Sequence, residues 1–133
     1  MVNKTSTLND TVQKIALPDK NELTFFEVRK IIRCKSDNSY TEFLILDDTS
    51  KKKACFKRIV SKGFYHYEKF LMSTGLFYRI HNQHIINVSH LKKIIKNNGG
   101  YVLMDDNTNE LLPIARARKE EFLNYLKIKR IIL

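Results

Sequence analysis

Short apolar runs alternate with polar, turn-forming stretches along most of this chain, and that rhythm predicts strands more than helices. Ile15–Pro18 ends in proline and suits an edge strand. Leu23–Val28, Lys30–Cys34 and Tyr40–Leu46 follow as strands, with Ser36–Ser39 as a loop between the last two. Asp47–Ser50 reads as a turn and Lys53–Val60 as the hairpin partner of the strand before it. The period then changes. Phe64, Tyr67, Phe70 and Leu71 fall at helical spacing after Ser61, a residue type that caps helices, and Gly75 is a natural stop, so a helix is predicted over 61–74. Phe77–Val88 is strand and loop, and Ser89–Lys93 suits one helical turn. Lys93–Ile95 and Tyr101–Met104 flank the turn Asn97–Gly100 as a hairpin. Asp105–Asn109 is a further turn, Leu111–Ile114 a further strand, and a second helix is predicted over 116–127, with Phe122, Leu123 and Leu126 apolar. Residues 1–14 are polar and aperiodic and read as a linker or flexible arm, 15–127 as the domain, and 128–133 as a basic and apolar tail.

Composition narrows the class. The 133 residues are 43% hydrophobic, enough for one core but little more. No apolar run approaches the roughly 20 residues that a membrane helix needs, and Met1–Asp10 has no apolar stretch of the signal-peptide kind. The two cysteines, Cys34 and Cys55, form no short-spaced pair, so neither a disulfide framework nor a structural zinc site is expected. A reduced, cytoplasmic setting is the simplest reading. The formal net charge of +10 is unevenly spread. Residues 1–50 hold seven Lys/Arg against eight Asp/Glu, and residues 51–133 hold seventeen against six. The second part is therefore expected to meet a polyanion.

The chemistry on offer is recognition rather than catalysis. The predicted 61–74 helix exposes only Lys62 and Lys69 and has no helix-turn-helix partner, so it makes a poor recognition helix. The hydrogen-bonding side chains lie between strands instead. Arg79–His84 is the densest cluster: Asn82 and Gln83 carry amides that can pair with adenine edges, Arg79 a guanidinium for guanine or phosphate, and His81 a ring that can donate to phosphate. Asn87, between apolar neighbours, reads as a turn-capping amide. Arg116 and Arg118 stand at a strand-to-helix junction, where first-turn cations oppose the helix dipole and a nearby anion would account for them. The loop Lys35–Tyr40 is polar and short. Lys51–Lys53 with Lys57 and Arg58 form a basic patch suited to nonspecific attraction or plain solvation. The adjacent pairs Asp47/Asp48 and Asp105/Asp106 fit turn chemistry better than a nuclease metal centre. No catalytic residue, metal ligand set or cofactor site is expected.

Four of these segments resemble a known family. Ile31–Thr41 is similar to the I-x-x-x-E-A-x-G-N-Y stretch of LytTR DNA-binding domains, and Val60–Leu71 resembles their helix motif. Phe77–Asn87 resembles F-x-R-x-H-[RN]-S-x-[IV]-V-N, and Leu112–Arg116 resembles I-P-V-S-R. All four occur in family order. Gln83 and Ala115 stand where the family often has Ser, and Arg33 where it often has Glu. The resemblance implies a mostly β, elongated β-sheet fold with short helices, whose loops enter successive major grooves. It implies a bacterial response-regulator effector domain of a two-component system, following a receiver domain and binding paired repeats in double-stranded DNA, commonly as a homodimer. By motif, base contacts fall on Asn82 and Arg116, with a third from the loop Asn38, Ser39 and Tyr40. Arg79, His81 and Gln83 would support these or touch phosphate. The competing expectation is a basic RNA- or protein-interaction module without sequence readout. The core positions assigned to Phe64, Tyr67, Phe70 and Phe77 leave that alternative few aromatics for stacking.

Overall fold

The computed structural model describes residues 13–49 and 54–129. The charge patch Lys51–Lys53, most of the N-terminal arm and the end of the tail lie outside the described residues. The chain forms β1 (Lys14–Asp19), β2 (Glu22–Glu27), β3 (Ile31–Asp37), β4 (Tyr40–Asp47), β5 (Ala54–Val60), α1 (Phe64–Ser73), β6 (Phe77–His81), β7 (His84–Asn87), β8 (Leu91–Ile95), β9 (Tyr101–Met104), β10 (Leu111–Pro113) and α2 (Lys119–Ile128). Five strands in the order β5-β4-β3-β7-β6 make the central sheet. The pair β1-β2 and the three-stranded sheet β10-β9-β8 are separate. Every described pairing is antiparallel.

The central sheet is apolar on both faces, because alternate side chains feed two cores. Ile31, Cys34, Phe43, Ile45, Phe77 and Ile85 join α1 and the β1-β2 pair on one face. Ile32, Tyr78, Ile80 and Ile86 join the three-stranded sheet and α2 on the other. A bulge in β3 between Ile31 and Arg33 breaks the alternation. It lets Ile32 and Arg33 both turn toward the three-stranded sheet, where Arg33 Nε donates to Asp106 Oδ2 at 2.8 Å.

Several boundaries differ from the sequence reading. Ser61 does not cap the first helix. Thr41 Oγ1 donates to the Lys62 carbonyl at 2.6 Å, which holds that residue in the connection, and the helix starts after Gly63. Phe64, Tyr67 and Leu71 make its buried stripe, while Phe70 is 39% exposed on the shoulder. Phe70 is thus not the core residue its spacing suggested. Gly75 adopts a left-handed φ of +79° just past the helix, a conformation that glycine accepts without strain. The turn expected at Ser89–Lys93 is a 3-10 turn over Val88–His90, and β8 begins at Leu91. Asn87 is buried; its Nδ2 donates to the Ile31 carbonyl at 2.9 Å and its Oδ1 accepts from the Ser89 amide at 3.0 Å. The second helix is preceded by a 3-10 turn over Arg116–Arg118.

Candidate nucleic-acid interface

Two tight turns and one junction meet at one end of the central sheet. Between β3 and β4, Asp37 faces Tyr40 across Asn38–Ser39. Asn38 has φ +58°, a left-handed conformation that asparagine tolerates better than most residues. Between β6 and β7, His81 faces His84 across Asn82–Gln83. The pairing of β3 with β7 runs from Arg33 and Ile86 to Lys35 and His84, and the Ser36 amide extends it by donating to the Gln83 carbonyl at 3.0 Å. This bond sets the two turns side by side. The third segment follows β10. The Ala115 amide donates to the Ile80 carbonyl at 2.8 Å, so Arg116–Arg118 leaves the chain beside the end of β6.

Within this end the side chains divide into exposed and engaged. Asn38, Ser39, Tyr40, Asn82, Gln83 and Arg116 are exposed. Asn82, Gln83 and Arg116 direct no side-chain hydrogen bond or ion pair to another described residue. Arg79, by contrast, is engaged through all three of its side-chain nitrogens. Its Nη1 donates to Glu68 Oε1 of α1 at 2.7 Å, its Nη2 to the Asn82 carbonyl at 2.6 Å and its Nε to the His81 carbonyl at 3.3 Å. Its guanidinium also lies 5.2 Å from the centre of the Phe64 ring. His81 Nδ1 accepts from the Gln83 amide at 3.1 Å. Arg118 Nη1 donates to the Arg79 carbonyl at 3.3 Å. The basic pair on β5 is turned to ordinary surface ion pairs, Lys57 with Glu42 at 3.3 Å and Arg58 with Asp19 at 3.3 Å.

Behind the turns lies an ion cluster that the sequence reading missed. Arg33 is 5% exposed and bridges Asp106 and Glu110, each at 2.8 Å. Asp106 Oδ1 also accepts from the Thr108 amide at 3.0 Å and from its hydroxyl at 2.7 Å. Burial works against the Asp106 carboxylate, but the bonds from Thr108 and Arg33 outweigh it and hold its pKa below the usual value. Beside this cluster, His84 is 5% exposed and its Nδ1 has no partner among the described residues. Burial, then the neighbouring His81, Arg33 and Lys35, push its pKa down to about 4. Turn chemistry at Asp106 was legible from its neighbours; its partner, 73 positions away, was not. The one available signal was a cation at position 33 in an otherwise apolar run.

Residues 21–127 match the family model of the LytTr DNA-binding domain. A solved structure, the LytTr DNA-binding domain of a protein described as a methyl-accepting/DNA response regulator from Bacillus cereus, superposes with a TM-score of 0.61 at 17% identity. The match covers 85% of this chain and 95% of that one, a likeness of fold. No curated protein matches this chain in sequence. Its ordered motifs and its strand-rich fold agree with the family match, which spans most of the chain: the protein belongs to the LytTr family of DNA-binding domains.

Proposed function

We propose that this DNA-binding domain reads a specific duplex sequence through the three segments at one end of its central sheet, and so acts as the effector of a transcriptional response regulator. Asn82 and Arg116 contact base edges, Asn38–Tyr40 supply a third contact, and Gln83, His81 and Arg118 brace these or meet phosphates. The observation that carries this reading is the stitching of the segments: the Ser36–Gln83 and Ala115–Ile80 backbone bonds bring exposed amide and guanidinium groups from three distant parts of the chain to one place. Side chains without internal partners keep their hydrogen-bonding capacity for another molecule. The binding site is proposed to be paired repeats about one helical turn apart, occupied by two copies of the domain. A receiver domain upstream, if this chain is an excised effector domain, and a cytoplasmic location belong to the same proposal.

Selection from a random duplex library, followed by titration of variants, tests this. Asn82→Ala and Arg116→Ala are each expected to cost about 1–3 kcal/mol on the selected duplex and much less on random duplex. Equal losses on both would refute base readout at these positions. Tighter binding to single-stranded RNA than to any duplex would favour the basic interaction module instead.

A further inference from the structure

We infer that Arg79 is the positioning residue of the reading end, anchored by Glu68 of α1, and is not a phosphate contact. The inference rests on the reading of Asn82 proposed above. Where β6 passes into the two-residue turn, one guanidinium plane takes two carbonyls in succession, those of His81 and Asn82, at 3.3 and 2.6 Å. Fixing both peptide planes fixes the direction in which the Asn82 side chain leaves the backbone. The guanidinium is itself held from behind. Glu68 accepts from Nη1 at 2.7 Å, and the Phe64 ring lies 5.2 Å from the guanidinium carbon. Three of the five N–H donors of Arg79 are taken and its charge is met by Glu68, so a phosphate would have to compete with that carboxylate for the guanidinium. The Arg79 carbonyl meanwhile accepts from Arg118 at 3.3 Å, so the same residue ties the third segment to the second. Arg79 follows Phe77 by two residues on the α1 face of the sheet, and ordinary strand alternation thus sets its guanidinium against Glu68 and Phe64.

The test uses the whole chain, the selected duplex and a random duplex, each titrated over a range of salt. Glu68→Gln keeps the shape of the anchor and removes its charge; Arg79→Gln and Arg79→Lys remove the bridge fully and partly. Circular dichroism and thermal melting report whether each variant is folded, and Glu68 is half-exposed, so Glu68→Gln serves even where Arg79→Gln does not fold. We expect Glu68→Gln and Arg79→Gln to lower the ratio of cognate to random affinity, by about tenfold for Arg79→Gln, with the salt slope unchanged and Arg79→Lys intermediate. A slope reduced by about 0.9, as one lost phosphate contact requires, with equal losses on both duplexes, would overturn the inference. So would a Glu68→Gln variant that binds cognate DNA as well as or better than the parent, or an Arg79→Lys variant that matches it. Asn82→Ala, run alongside, separates the two proposals: cognate binding that survives it sinks both, whereas its loss together with a changed Arg79 slope sinks the positioning role alone.

Discussion

At the scale of single residues, the buried Arg33 cluster carries the sharpest energetic consequence. Asp106→Ala would leave a guanidinium buried with only the half-exposed Glu110, and removal of one partner from a buried pair typically costs about 3–5 kcal/mol. Urea unfolding of Asp106→Ala is expected to show a loss of that order, with Glu110→Ala well below it. His84 gives the matching pH dependence. Its folded pKa, about 4, lies below the ordinary histidine value of 6.5, so below pH 6.5 the unfolded chain takes up a proton that the folded chain refuses. Stability is therefore full above pH 6.5, falls as the pH drops toward 4, and stops falling from this source below that. The full effect is at most about 3 kcal/mol, and a His84→Leu variant should flatten the slope across that window. Asp106, whose pKa is lowered, adds a second loss that begins near its ordinary value of 3.8 and continues as the acid increases.

The elements were legible wherever local periodicity decided them. Most strands, the first helix and the Asn97–Gly100 turn follow from spacing and turn chemistry that neighbouring residues supply. The reading failed where a distant residue intervened. Thr41 moved the start of α1 by binding the Lys62 carbonyl, and a bulge gave Arg33 a partner in another sheet. The candidate site shows the same division. Its exposed amides and arginines were visible as a composition, and family motifs singled out Asn82 and Arg116, but the engagement of Arg79 with Glu68 depends on a contact between a helix and a strand. Among the elements, α2 packs directly behind the third segment of the site. Phe122 is fully buried and stacks near Tyr78, with ring centres 5.1 Å apart, just after the Arg116–Arg118 turn. Phe122→Ala should cost about 3–5 kcal/mol, read as a lowered melting temperature.

At the scale of the whole molecule, the proposed reading gives a duplex one small end with three contacts, which would specify few base pairs. Two copies on paired repeats would double that information, provided both sites face the same side of the helix. Moving the repeats apart by about half a turn, roughly 5 base pairs, should therefore abolish cooperative binding in a mobility-shift titration, while a full turn should restore most of it. Unchanged cooperativity at half a turn would mean that the copies do not meet on one face.

The two turns that carry the exposed amides have only two residues each, and their length is set by the strand register on either side. Inserting one residue would change the turn type and with it the direction in which these side chains leave the backbone. On the proposed reading, a lineage would retarget such a domain to a new promoter by exchanging the side chains of Asn38, Ser39, Asn82 or Gln83, while the spacing of the turns stays locked. New specificities among its descendants would arise by point substitution, with the loop lengths inherited intact.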